Sequence, residues 1–233
     1  MQRRFAAAFL MSLPFLLAAC GGDDDSGSGS ESAPGVAVDG PPLRYMPAVE
    51  EMPGLFTVDE GNSFGLSSRA FAGMGPFRNV QEGDELAEEW GYTVGNVMVF
   101  RPDGLLAGVL EGRYFATIMI HQFETPVGAR DAFAHYKSWS DGVKDSETED
   151  APILGNESGA WSIATGTVAN TEMKAIHHRV VIRRGNIVAD VRTEGGEPFM
   201  SVDDAAALAL IIDQRATGER LAEMPTPGAT GTQ

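Results

Sequence analysis

The chain has 233 residues, with 17 Lys and Arg against 33 Asp and Glu, a formal net charge of −16. Hydrophobic residues make up 43%, aromatics 8% and charged residues 21%, proportions that fit one globular domain with some non-globular chain. They exclude a collagen, a coiled coil, a polytopic membrane protein and a disulfide scaffold, and the acidic balance argues against a nucleic-acid binder, which concentrates positive charge against phosphates.

Residues 1–20 read MQRRFAAAFLMSLPFLLAAC. Arg3 and Arg4 form a positive n-region, and Phe5 to Ala19, interrupted by Ser12 and Pro14, is an apolar h-region. At about 15 residues it is too short to span a hydrocarbon core of about 30 Å as a helix, and its layout is that of a secretory signal. Leu17-Ala18-Ala19-Cys20 resembles the lipobox of bacterial lipoproteins. That resemblance implies a thioether-linked diacylglycerol on Cys20 and cleavage of residues 1–19. Cys20 is the one cysteine, so an internal disulfide is excluded; the alternative is a thiol lying just past an ordinary cleavage site. Two or more acyl chains anchor stably, each buried CH₂ contributing ~0.8 kcal/mol. The mature chain would carry 15 basic residues against 33 acidic ones.

Gly21 to Pro42, GGDDDSGSGSESAPGVAVDGPP, lacks Lys and Arg and is rich in Gly, Ser, Pro and acids. Such a stretch reads as a self-repelling tether with an r.m.s. span of roughly 25 Å. Asp23-Asp24-Asp25 would be repelled by anionic lipid heads. The lipoprotein resemblance further implies a position on the cell membrane or outer membrane, facing the periplasm or exterior; Gly21, where Asp would favour inner-membrane retention, leans towards the outer membrane if the host has one. The expected organisation is a signal peptide at 1–19, lipidated Cys20 and tether at 20–42, one domain at 43–222 and a Pro/Gly/Thr-rich tail at 223–233.

Within the domain, a short helix is expected at Asp84–Gly91 and a strand at Thr93–Arg101. Gly112 to Phe123 alternates apolar groups on both faces, with Tyr114, Ala116, Ile118 and Ile120 on one and Phe115, Thr117, Met119 and Phe123 on the other, as a strand covered on both sides requires. Thr125 followed by Pro126 is a helix start, and Ala129, Ala132, Phe133 and Tyr136 recur at helical spacing to an end near Gly142. Another strand is expected at Gly159–Val168. Ile176 to Thr193 predicts a hairpin about Gly185-Asn186. That turn sets Ile182 against Ala189 and Val180 against Val191 on an apolar face, and leaves Arg179, Arg183, Asp190 and Arg192, with Val181 and Val188, on a wetter one. Ser201-Val202-Asp203-Asp204 resembles a capping box, opening a helix with a stripe of Ala205, Leu208, Ile211 and Ile212. Hairpin-joined strands with two substantial helices predict an α+β fold with a mainly antiparallel sheet.

The succession of Pro126–Tyr136, Gly155-Asn156-Glu157-Ser158, Arg183-Arg184-Gly185-Asn186-Ile187-Val188 and Ala205–Ile212 resembles a group of exported bacterial proteins. The group includes mycobacterial lipoproteins and extracellular sensor domains of receptor Ser/Thr kinases, and the resemblance covers residues 84–220. It implies an antiparallel sheet flanked by helices, a PsbP/Mog1-type α/β/α sandwich, outside the cytoplasm. The matching motifs are structural, and this sequence contains no kinase domain, so a receptor-kinase role does not carry over.

Candidate chemistry is sparse. His177 and His178 are adjacent on a strand and point to opposite faces; with His121 and His135 they form neither HxH nor HExxH, and no metal or cofactor is expected. Gly155-Asn156-Glu157-Ser158-Gly159 reads as a turn rather than a nucleophile elbow. The acidic run Asp141–Asp150 does not match a calcium-binding loop. The arginines of the hairpin are the candidate site: Arg179, Arg183 and Arg192 could seat an anion or a partner, or could pair with Asp190 and neighbouring acids. The function expected is a lipid-anchored, non-catalytic module binding an envelope protein or small ligand. The alternatives are a carrier of a lipid or other hydrophobic molecule and, behind it, a hydrolase.

Overall fold

The computed structural model describes residues 35–104, 112–150, 153–167, 172–197 and 199–219. The signal segment, Cys20, Asp23-Asp24-Asp25, most of the tether and the tail lie outside the described residues. Eight strands form one antiparallel sheet: β1 (Phe56–Val58), β2 (Phe64–Leu66), β3 (Tyr92–Pro102), β4 (Arg113–Phe123), β5 (Ser146–Thr148), β6 (Glu157–Thr167), β7 (Lys174–Arg184) and β8 (Ile187–Gly196). Their order is β1-β3-β4-β8-β7-β6-β5, with β2 also pairing to β3. Among the described residues four α-helices accompany them: α1 (Ser68–Met74), α2 (Val80–Glu89), α3 (Pro126–Gly142) and α4 (Val202–Thr217). This is the α+β class that the hairpin pattern predicts. Among the described residues no helix is long and apolar enough to cross a membrane.

The sheet buries both faces, and the strand alternation explains how. Ala116, Ile118 and Ile120 of β4, Val180 and Ile182 of β7, and Ala189 and Val191 of β8 pack against Ala205, Leu208 and Ile212 of α4 and against Tyr45 and Met46. On the opposite face Phe123, Val181, Val188 and Trp161 pack against Phe71 of α1, Ala87 of α2 and Ala129, Ala132, Phe133 and Tyr136 of α3. Burying a large apolar side chain contributes about 1.5–3 kcal/mol, so these two clusters supply the main driving force. The hairpin register is Val180 opposite Val191 and Ile182 opposite Ala189.

Local signals fix the helix starts. The Thr125 hydroxyl accepts the Gly128 N–H at 3.1 Å. The Asp204 carboxylate accepts the Ser201 N–H at 2.8 Å. α2 begins four residues earlier than the sequence predicts, because the Asn79 side chain accepts the Glu82 N–H at 2.9 Å and caps the helix there. α3 sits close against the chain entering β3: a Cβ on Gly128 would overlap the Trp90 carbonyl. The hairpin turn needs Gly185 twice over, since its φ is +55° and a Cβ there would collide with the Val36 carbonyl.

The folded part starts earlier than expected. Val38 N–H donates to the Asn186 side-chain oxygen at 2.8 Å, and Asn186 Nδ2 donates to the Phe123 carbonyl at 2.9 Å. Residues 35–42, read from composition as tether, therefore run against the hairpin turn. Gly155-Asn156-Glu157-Ser158 is a turn: Asn156 N–H donates to the Arg183 carbonyl and its Oδ1 accepts the Gly185 N–H, each at 2.7 Å.

Candidate functional site

Side chains of the α3-facing sheet surface form cross-strand rows. His121, Val188, Arg183 and Glu157 make one row across β4, β8, β7 and β6. Met119, Asp190, Val181 and Gly159 make the next, followed by Thr117, Arg192, Arg179 and Trp161, and then by Phe115, Glu194, His177 and Ile163. The first two rows lie largely under the helices. The last is half-buried throughout. Burial thus falls along the strands, and the arginines straddle the transition.

Arg179 and Arg192 both bind Asp190. Arg179 donates from Nε and Nη2 to the two carboxylate oxygens at 2.9 and 2.8 Å. Arg192 donates from Nε at 3.2 and 3.1 Å and from Nη2 at 2.6 Å. Arg179 also donates from Nη1 to the Ser140 hydroxyl at 2.7 Å, and its guanidinium lies 4.9 Å from the Trp139 ring centre and 5.4 Å from that of Tyr136. Burial would raise the Asp190 carboxyl; the two guanidinium charges and their hydrogen bonds outweigh it and hold the group far below the usual carboxylate range. One carboxylate between two guanidiniums leaves an excess positive charge.

The three hairpin arginines do not form an open basic surface. Arg179 is 2% and Arg183 0% exposed, and Arg183 binds Glu157 across β6. They share the polar face that strand alternation assigns them, but α3 covers that face, which the hairpin sequence does not show. Arg192 keeps 26% of its side chain exposed. It binds Asp190 through Nε and Nη2, and its Nη1 makes no hydrogen bond among the described residues. Thr117 flanks Arg192 on β4, and His177 and Glu194 form the next row with their Nδ1 and Oε2 atoms 3.5 Å apart.

The histidines sit at separate places. His121 is buried, its Nε2 lies 3.1 Å from the Tyr136 hydroxyl, and burial pushes its pKa down to about 4, so the ring is neutral at pH 7. His135 Nε2 lies 2.8 Å from the Pro76 carbonyl. His178 lies on the α4 side, where burial lowers its pKa. Of the acidic run, Asp141 accepts the Trp161 indole N–H at 2.9 Å and Lys137 Nζ at 2.7 Å. Among the described residues, no group of three or more His, Cys, Asp or Glu is placed to hold a metal ion. Sequence reasoning did not find Trp139, Ser140 and Tyr136 as the shell around Arg179; helical spacing from Tyr136 to Ser140 was the available signal, but it does not say which strand the helix crosses.

No protein-family model matches the chain, and no curated protein matches it. Among solved structures, the chain is similar to the extracellular domain of PknH from Mycobacterium tuberculosis. The TM-score is 0.52 at 13% identity, over 75% of this chain and 93% of that one. The two share a fold.

Proposed function

We propose that the chain is an exported, non-catalytic binding module, held to the cell or outer membrane by lipid on Cys20, whose recognition surface is the half-open sheet face around Arg192. The observation that carries the recognition surface is the unused Nη1 of Arg192. Asp190 fixes the rest of that guanidinium through Nε and Nη2, so the free N–H pair is pre-oriented and loses little rotamer freedom on binding. Phe115 and Ile163, at the two ends of the neighbouring row, would pack against an apolar body. The ligand class is therefore an anionic group, on an envelope protein or small molecule, set beside apolar surface. The signal-like N-terminus and the fold shared with an extracellular domain support the location.

The test is native mass spectrometry of the chain purified through its own host's export pathway, alongside Arg192→Gln. The expected result is a bound mass on the wild-type protein that the variant lacks while still unfolding in one cooperative transition, at a lower temperature because Asp190 loses one of its two guanidiniums. No bound mass, or the same mass on both, counts against the surface. Loss of membrane fractionation and of lipid mass in Cys20→Ser is the matching expectation for the anchor.

A further inference from the structure

A second surface stands apart from the Arg192 face. Residues 35–45, the Asn156 turn, Arg184 and the last turn of α4 enclose an open cleft of about 720 Å³, within the size range of small-molecule sites. Its lining carries both donors and acceptors. Arg44, an exposed guanidinium, makes no ion pair or hydrogen bond among the described residues. Arg184 gives Nε and Nη2 to Asp213 at 2.6 and 2.7 Å, and its Nη1 makes no hydrogen bond among the described residues. Asn156 uses its Oδ1 on Gly185, and its NH₂ has no acceptor among the described residues. These are donors, from three different parts of the chain.

The same lining offers acceptors. α4 ends here at Thr217, Gly218 is left-handed, and Ala216, Thr217 and Gly218 line the cleft; the Gln214 and Arg215 carbonyls accept the Thr217 hydroxyl and the Gly218 N–H, which leaves the Ala216 and Thr217 carbonyls as the acceptors of the last turn. Asp39 also lines it, and its carboxylate has no partner among the described residues. Glu219 lies near enough to Arg184 to act on it. Arg215 is committed to Glu51 at 2.8 Å and to the Met46 carbonyl. A bare anion would meet repulsion from Asp39, Glu219 and the negative helix end. A neutral polyol would leave the two guanidiniums unused. A ligand with one strong anionic group and several hydroxyls satisfies both sets of groups, the hydroxyls donating to the carbonyls and to Asp39.

We propose that this cleft binds a polyol phosphate ester, with the phosphate on the Arg44–Arg184–Asn156 side and the hydroxyls at the end of α4. Arginine forks match phosphate oxygens. The same chemistry occurs in soluble glycerol and sugar phosphates and in glycerophosphate lipid headgroups.

The test uses the full chain and two probes. Calorimetric titration with sn-glycerol 3-phosphate is expected to show saturable binding that is tighter than for inorganic phosphate. Arg44→Gln, at an exposed side chain, should weaken it roughly tenfold, the loss of charge-assisted hydrogen bonds, without a change in melting temperature. Arg192→Gln should leave it unchanged, which separates this site from the sheet face. Co-sedimentation with phosphatidylglycerol vesicles, against phosphatidylcholine, identifies the lipid source if Arg44→Gln reduces it. Saturable, Arg44-dependent binding of either probe supports the proposal. Binding of neither, or binding that Arg44→Gln does not weaken, overturns it.

Discussion

Arg179 and Arg192 stand directly opposite each other on β7 and β8, and both give their guanidinium hydrogens to the single carboxylate of Asp190. Like charges placed opposite each other on a sheet destabilise it. Here the carboxylate between them reverses the sign. Asp190 is 0% exposed, so removing its charge strands two guanidiniums in a place with little water. Asp190→Asn is expected to cost about 3–5 kcal/mol, the range for breaking a buried pair, measured by urea unfolding at pH 7. Because the folded carboxyl titrates far below its unfolded value, the stabilisation is complete above about pH 4. It is lost as the pH falls from there through the folded-state value. An Asp190→Asn protein unfolding at the wild-type urea midpoint would show that the triad contributes nothing.

His121 predicts a second pH dependence, in a different window. Its pKa is about 4 in the fold against about 6.5 in the unfolded chain. The unfolded state therefore takes up a proton first as the pH falls. Stability is full above about pH 6.5 and declines down to about pH 4, by at most about 3 kcal/mol for one group. His178 is lowered in the same direction and adds to the slope. The difference between the wild type and His121→Phe isolates the His121 share: the variant should lose less stability between pH 7 and pH 5. Parallel curves would exclude a buried neutral ring.

Two glycines in α3 should respond oppositely to alanine. At Gly128 a Cβ would overlap the Trp90 carbonyl, a backbone atom with no easy retreat. Gly128→Ala should cost about 1–3 kcal/mol. At Gly142, the last residue of the helix, nothing lies within 4 Å. Gly142→Ala should be neutral or stabilise by up to about 1 kcal/mol. Thermal melts of the two variants side by side check the contrast, and equal effects would refute the close packing of α3 on Trp90.

Asn186 holds three parts of the chain with one amide, accepting from Val38 and donating to the Phe123 carbonyl. Asn186→Ala should cost about 2 kcal/mol, one net hydrogen bond on each side. It should also expose the chain near Val38 to proteolysis while cleavage elsewhere stays slow. Unaltered cleavage near Val38 would show that the amide does not hold the segment.

Much of this arrangement is legible in the sequence, and the parts that are not share a cause. β4 reads as covered on both faces because Ile118 and Met119 alternate without a polar break. The hairpin register follows from the Gly185-Asn186 turn. The helix starts at Thr125 and Ser201 follow from the Thr125 hydroxyl and the Asp204 carboxylate. β1, β2 and β5 are three residues each, too short for any periodicity to register. α1 has its Ser67 cap but only seven residues. The arginine face misleads for a different reason. Alternation shows that Arg179, Arg183 and Asp190 share a side of the sheet, and polar residues on one side ordinarily mean water. Their mutual neutralisation lets a helix cover them instead, and only the three-dimensional path of α3 shows that it does. The cleft beside Arg44 escapes for the same reason, being assembled from residues 35–45, 156, 184 and 215–218.

The Asn186 amide also fixes how the molecule would bear load. A pull on the chain preceding Val38 enters the domain at the β7–β8 turn and, through the Phe123 carbonyl, at the end of β4. β4 and β8 are neighbours in the interior of the sheet, each hydrogen-bonded on both sides. Tension arriving there is shared among ladders that must break together, whereas tension at β1 or β5 would peel a three-residue edge one bond at a time. A pull arriving at Val38 is therefore met by interior strands rather than by an edge.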